Sequence, residues 1–379
     1  MNLLPRSFQA ALLLVGTIVG VGIFAIPYVF VRAGFLTGVL EILILAAVTL
    51  VLNLAYAEVV LRTPEIHRLP GYAARYLGPV GAWVSRLSYL FGISGTLLVY
   101  LVLGGAFLGT LLAAAFPRIP MAIGPAAFYL IGAAVVLRGI RFESFANALF
   151  TLGLIAALVV GGSILLPGIS TAELGGFYPS RLAIPYGVLL FSLAGAAIIP
   201  DVRRALGNGI PRALATVVAA GTLIPLALYL LFAAAVAGTT GEGTTPDAIS
   251  GIAGLLGPPY GIFGSAIGFL ATITSFIPLS IVLEGMFAAD LKLRPALATF
   301  FTLAIPPLLF AAGFHDFIVI ISLIGAVAIG VDGILILLIH RRAEEAHPGA
   351  VSFRLKIPVI LRAVIILMFI AGILAAVFG

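Results

Sequence analysis

The sequence predicts an all-α integral membrane protein of about eleven spanning helices. Three observations predict it. Charged residues make up only 9% of the 379-residue chain and hydrophobic residues 62%, against roughly 25% charged in an ordinary soluble domain. Apolar runs of about twenty residues, the length that crosses a hydrocarbon core about 30 Å thick, recur from end to end. These runs are apolar on every face and about twice as long as membrane β-strands, so they read as helices and not as barrel strands.

Spans are expected near 8–31, 36–61, 83–116, 120–137, 145–168, 183–200, 213–238, 260–289, 296–313, 316–340 and 357–378. The third and eighth are long enough to tilt or to extend beyond the bilayer. The first apolar stretch is too long for a cleavable signal and no small-residue cleavage pattern follows it, so it reads as the first span. With the N-terminus inside, every lysine and arginine except Arg32, Arg118 and Arg181 falls on the cytoplasmic side, Arg141 among them. That is the asymmetry of the positive-inside rule, and a wrong span count would scramble it. The C-terminus then lies outside. The net charge of +6 is thus an orientation signal, and no nucleic-acid partner is expected. The expected location is the cell membrane, with lipid as the surrounding partner; oligomeric state is open.

Two connections have length. The inner loop 62–82 carries Pro70-Gly71-Tyr72 through Leu77-Gly78-Pro79, a short interfacial helix bounded by Gly and Pro. The outer loop 239–259 opens with Gly241, Gly243 and two threonine pairs and turns apolar over Ile249–Leu256, which suits a re-entrant or lid helix. The chain has no cysteine, which excludes disulfides and thiolate metal sites. His67, His315, His340 and His347 sit at segment ends without metal-ligand spacing, so no metal site is expected.

Two spans are interrupted. Span 1 reads Gly16-Thr17-Ile18-Val19-Gly20-Val21-Gly22-Ile23-Phe24-Ala25-Ile26-Pro27. Glycine costs about 1 kcal/mol and proline about 3 kcal/mol per helix position. An unwound backbone survives at membrane depth only where it is buried in protein or lines a wet cavity. Close packing of small residues is the other reading, and Gly16 and Gly20 have the GxxxG spacing. Span 6 shows a second interruption, Pro185-Tyr186-Gly187 through Phe191-Ser192-Leu193-Ala194-Gly195 to Ile199-Pro200-Asp201. Spans 1 and 6 cross in opposite directions. Two opposed broken helices at corresponding positions point to an inverted-repeat transporter with its site at the breaks. The chain is then a single transmembrane transporter domain over 1–379, with repeats of about 8–168 and 183–340 and an extra helix at 357–378.

The chemistry of such a site follows from the backbone. A half-helix N-terminus offers free N–H groups and a partial positive charge to a carboxylate. A half-helix C-terminus and unwound carbonyls suit an ammonium or Na⁺. An α-amino acid carries both charges. Gly20, Val21 and Gly22 are the candidate carboxylate donors. Carbonyls near Ile18 and Val19, with Phe191, Ser192 and Leu193, are candidates for the ammonium and the pocket wall. None of these residues is charged, which favours a neutral side chain.

Gly16–Pro27 resembles the opening motif of permeases of the amino acid–polyamine–organocation superfamily. It is most like the aromatic and neutral amino-acid permease branch, also called amino acid/auxin permeases. The stretch Pro70–Pro79 with Gly81 and Trp83 is similar to that superfamily's first cytoplasmic loop, and Phe191–Gly195 with Ile199-Pro200 resembles its sixth helix. The resemblance implies a leucine-transporter-type 5+5 inverted repeat, alternating access, and a bulky apolar or aromatic substrate. It also implies a sodium site from hydroxyls of span 8, Thr272, Thr274 and Ser275, with span 1 carbonyls at Val19 and Gly22. The alternative is that these Ser and Thr hydroxyls simply bond the preceding helical turn, which is common. Some relatives use a lysine in span 5 instead; this chain has Asn147 there and no lysine. No cofactor is expected beyond a coupling Na⁺ or H⁺.

Intramembrane acids are costly and usually functional. Asp332 falls mid-span 10, a candidate for proton coupling or gating, with interior hydrogen bonding as the alternative. Glu41 lies early in span 2. Glu58, Asp201, Glu284 and Asp290 lie toward inner ends, where snorkelling or pairing with loop arginines explains them. Other classes fit less well. A polyamine carrier should show acids or aromatics around the breaks, and no acid precedes Asp201 in either stretch. An intramembrane enzyme needs a nucleophile–base or metal set, and an ATP-driven pump needs a Gly-x-x-x-x-Gly-Lys loop. A passive channel needs a filter repeated by symmetry. The sequence has none of these, so the chain reads as a non-enzyme; an uncoupled exchanger of the same fold stays open.

Overall fold

The structure, a computed structural model, describes residues 5–138, 144–207, 211–349 and 353–378, without the side chains of 144–147 and 211. Arg141 and the Asn147 side chain lie outside the described residues. Every regular element among the described residues is helical.

The chain opens on α1 (Arg6–Ile18) and α2 (Gly22–Ala33), bent by 50° at the break between them. Next come α3 (Phe35–Arg62), α4 (Leu69–Val99), a π-helical turn (Tyr100–Gly104), α5 (Gly105–Ala115), α6 (Gly124–Leu137) and α7 (Ser144–Leu165). Span 6 is α8 (Ala183–Ser192), then a 3-10 turn (Ala196–Ile198) and α9 (Ile199–Leu206). It is followed by α10 (Pro211–Thr240), α11 (Ile249–Leu256), α12 (Pro258–Ala289), α13 (Pro295–Ala311) and α14 (Phe317–Leu323). A second π turn (Ile324–Ile329) leads into α15 (Gly330–Ala346), and α16 (Val359–Phe378) ends the chain. Eight of these stretches are long and apolar enough to cross a membrane, nine if α1 and α2 form one span. Met121–Leu137 and Pro295–Ala311 are apolar but shorter; they stand where the fourth and ninth spans are expected.

One boundary is corrected. The third expected span, 83–116, is joined to the interfacial helix before it, since α4 runs from Leu69. The joint is a kink at Gly78, whose φ of 75° and ψ of −164° lie outside the helical region. Only glycine takes such a conformation at no steric cost, and Pro79 after it has no N–H to continue the ladder. Two straight elements also turn out to contain π turns, where one extra residue per turn frees backbone groups. The connection 239–259 does hold a helix, α11, as its apolar run predicts.

The broken helices form the centre of the bundle. α1 packs against α10, α7 and α9, while α2 packs against α8. α3, α4, α12 and α15 enclose them, and α16 lies outside against α15. Burial follows this order. Phe24, Ile23, Val21 and Leu14 are fully buried, whereas α16 exposes Val359, Ile360 and Phe378 by more than three-quarters of their surface. A helix apolar all round that keeps its side chains exposed needs lipid as solvent. Beyond the break, Phe24 meets Phe107 and Phe232 with ring centroids 5.0 Å and 5.8 Å apart, a tilted and edge-on cluster of the favoured kind.

Candidate functional site

The two breaks face each other. α1 ends at Ile18, and Val19 turns out of the helix at φ −74°, ψ 67°. That turn is closed by Gly20 N–H donating to the Ile18 carbonyl at 2.7 Å. α2 begins at Gly22, so its first N–H groups have no carbonyl one turn back to bond. α8 ends at Ser192, and the chain passes through Leu193, Ala194 and Gly195 before the 3-10 turn. The breaks interlock through small residues. A Cβ on Gly22 would lie 2.9 Å from the Ser192 Cα, and one on Gly195 would lie 2.5 Å from Ile18 Cδ1. Both are closer than atoms pack. Small residues here serve close approach as well as unwinding, so both readings of Gly16–Gly22 hold at once.

A cavity of about 90 Å³ opens from this junction, counting the space available to the centres of water-sized spheres. Roughly 10–15 Å³ of such space holds one water, so the room suits a small solute. Ile18, Gly20 and Gly22 of span 1 and Phe191 and Ser192 of span 6 form its wall. Val19, Val21 and Leu193 are fully buried and do not line it. They can contribute backbone groups but no side-chain surface.

Several polar wall residues have no local sequence signal. Asn53 and Thr49 come from α3, Ser88, Tyr89 and Thr96 from α4, and Tyr100 from the π turn. Asn53 donates to the Thr222 hydroxyl of α10 at 3.1 Å. The Tyr100 hydroxyl approaches Gly20 so closely that a Cβ there would lie 2.7 Å from it. No spacing pattern within their own segments marks these residues, and only the packing of distant spans gathers them.

Asp332 lines the same cavity. Ser88 bridges it to the backbone: the hydroxyl lies 2.7 Å from Asp332 Oδ1 and 3.1 Å from the Ala328 carbonyl. One hydroxyl proton serves one of the two at a time. No arginine or lysine is ion-paired with Asp332 among the described residues. Asp332 is thus a carboxylate in an apolar segment that faces a cavity, the kind of intramembrane acid that is costly to keep.

The span 8 hydroxyls divide. Thr272 donates to the Gly268 and Phe269 carbonyls, both at 2.9 Å, and Thr274 to the Leu270 carbonyl at 2.7 Å. Both bond their own helix. Ser275 alone reaches span 1, 3.0 Å from the Gly16 carbonyl and 3.5 Å from that of Thr17.

Of the remaining acids, Glu41 and Asp290 each keep a buried carboxylate oxygen without a hydrogen-bond partner among the described residues, and the other three pair away from the cavity. Asp201 binds Arg68 through both carboxylate oxygens and Arg204 at 2.8 Å, so the expectation of loop arginines holds there. Glu284 instead accepts from Thr299, and Glu58 is fully buried, not snorkelled. Glu58 accepts from Arg62 at 2.6 Å, His340 at 3.0 Å and the Leu355 N–H at 2.7 Å. His340 is thus a buried residue between Glu58 and Glu344, which corrects its placement at a segment end. Ligand atoms of Glu58, His340 and Glu344 lie within 4.8 Å of one another, a proximity invisible at a separation of nearly three hundred residues. The set suits an ion-pair network better than a metal. Arg62 and Leu355 already occupy the Glu58 oxygens, and Arg362 approaches Glu344.

The family model described as the tryptophan/tyrosine permease family matches residues 4–377. Among curated proteins, "Glutamine transporter 2" of Aliivibrio fischeri is 25% identical over 356 residues, covering 90% of this chain and 92% of that protein. "Tyrosine-specific transport system 2" of Haemophilus influenzae is 26% identical over 349 residues, covering 84% of each.

Proposed function

The chain belongs to the tryptophan/tyrosine permease family, and from that premise we propose that it is a secondary amino-acid transporter working by alternating access. The observation that carries this reading is the single cavity into which both broken helices open. The substrate carboxylate meets the N–H groups of Val21 and Gly22 at the start of α2, beside Gly20, whose own N–H closes the turn onto the Ile18 carbonyl. Its ammonium meets the carbonyls that end α1 and α8, at Ile18 and Ser192. The relatives' names, one a glutamine transporter and one tyrosine-specific, support an amino acid with an uncharged side chain. Polar wall groups such as Asn53 and Thr96 allow that side chain to carry a hydrogen-bonding group, which widens the apolar or aromatic expectation.

We read the bent pair α1–α2 and the two shorter apolar helices as spans too, which makes eleven. On this reading α1 to α7 and α8 to α15 are the two inverted halves, α16 is the addition, and the N-terminus is cytoplasmic. Coupling has two candidate devices. Asp332 carries a proton, or Ser275 with the Gly16 and Thr17 carbonyls and the backbone at Val19 and Gly22 holds Na⁺. Thr272 and Thr274 give their protons to their own helix and keep lone pairs for a cation, while Asp332 is the carboxylate that lines the cavity.

Uptake of labelled amino acids into proteoliposomes tests the reading, with Na⁺ and pH gradients imposed separately. Concentrative uptake under one gradient is expected, and equilibration of many solutes alike would show a passive pore. Asp332→Asn is expected to abolish proton-driven accumulation while counterflow exchange continues. Wild-type accumulation by that variant would remove Asp332 from coupling. Ser275→Ala is the parallel variant: a rise of about tenfold in half-saturating Na⁺, the equivalent of about 1.4 kcal/mol, is expected only if sodium drives transport.

A further inference from the structure

Tyr229 stands behind the cavity wall, in the middle of α10, and is fully buried. Its hydroxyl lies 2.7 Å from the Ile18 carbonyl oxygen and 2.8 Å from the Ser192 carbonyl oxygen. Those are the last helical residues of α1 and of α8. One side chain from a third span therefore touches both broken helices at the two positions where their carbonyls lose intrahelical partners.

We infer that Tyr229 is the positioning residue for the ammonium end of the substrate, an inference that rests on the amino-acid reading of the site. Each of the two carbonyls is a helix-terminal acceptor at membrane depth, where an unsatisfied backbone group costs several kcal/mol. Tyr229 has one proton to give and two acceptors within reach. It holds both oxygens at a fixed spacing. The Ile18 oxygen also accepts from the Gly20 N–H; a carbonyl oxygen has two lone pairs, so with the Tyr229 proton given to Ser192 each oxygen keeps one for a further donor. A primary ammonium brings three N–H donors and a positive charge, and hydrogen bonds to charged groups are the stronger kind. Glycine contacts fix the same spacing sterically, with Gly22 against Ser192 and Gly195 against Ile18. The hydroxyl adds a hydrogen-bonding tie: both carbonyl oxygens lie within 2.8 Å of it. Tyr229 itself does not line the cavity, so it acts through these oxygens and not by touching the substrate.

The test compares a transported amino acid with its desamino analogue, the same carboxylic acid lacking only the amine, by competition against labelled uptake in proteoliposomes. Wild type is expected to favour the amino acid. Tyr229→Phe removes the hydroxyl and keeps the ring. It is expected to cut that preference about tenfold, the equivalent of one hydrogen bond to a charged group, and to leave the affinity for the desamino analogue within about twofold. A purely structural tyrosine would weaken both ligands together, and that outcome overturns the assignment, as does an unchanged ratio. If Tyr229→Phe does not fold, Tyr229→His, which keeps a ring N–H, is measured instead, and a wild-type ratio with disturbed affinity for both ligands would likewise overturn it. Failure of wild type to take up any amino acid would overturn the transport reading itself, a result distinct from the other two.

Discussion

Gly20→Leu is expected to reduce amino-acid uptake at least a hundredfold while the protein still inserts and elutes as a single folded species. A Cβ at this position would already lie 2.7 Å from the Tyr100 hydroxyl and 3.2 Å from Ser275 Oγ. Both neighbours are side-chain ends, so alanine can be accommodated by a small shift. Leucine adds three more carbons with nowhere to go but the cavity, whose wall Gly20 forms. The loss therefore comes from a filled site and not from a lost fold, and Gly20→Ala should retain a measurable fraction of uptake. The check is saturation uptake with each variant, beside its elution profile and melting curve. Wild-type affinity in the leucine variant would sink the assignment of the break as the binding site.

Glu58→Ala is expected to give the largest loss of stability. Glu58 is fully buried and Arg62 is 4% exposed. Removing the carboxylate strands the guanidinium and the buried His340 ring together. Breaking a buried pair by deleting one partner costs about 3–5 kcal/mol, because the remaining charge has no solvent. Arg62 also donates to the His347 carbonyl at 2.5 Å, and Glu58 accepts from Leu355 N–H. The network thus ties α3 to α15 and to the segment that leads into α16. Glu58→Gln keeps the shape and an acceptor and should lose less. Thermal unfolding in detergent, followed by loss of monodisperse protein, ranks the three. Equal melting of wild type and Glu58→Ala would show that water reaches Arg62.

Much of this was legible in the sequence. Solvent class was legible because it depends on composition: few charges and repeated apolar runs leave no option but lipid. Gly16 to Pro27 could be read as a break because glycine and proline penalise a helix wherever it sits. The interfacial helix was bounded correctly by Gly78 and Pro79, and Asp332 stood out because a carboxylate is costly at membrane depth. Tyr229, Asn53, Ser88 and Tyr100 were not legible. Each is one polar residue in an apolar helix, and its helix neighbours carry no hint of which way it turns. The π turns at Tyr100–Gly104 and Ile324–Ile329 were missed for a related reason. An extra residue per turn is stabilised by what packs against it, not by a residue type. His340 was misjudged because its partner Glu58 comes from another element.

By itself the sequence determined the all-helical membrane class, the places where helices must fail, and the presence of an acid in the middle of the tenth expected span. Those are properties of single segments against their solvent. Only the tertiary structure decided that the two breaks lie against each other, that Ser275 alone of the span 8 hydroxyls reaches span 1, and that one tyrosine serves both helix ends. Those are properties of pairs of segments. In an apolar chain they depend on which small residues let two backbones approach, and no single segment records what its partner will be.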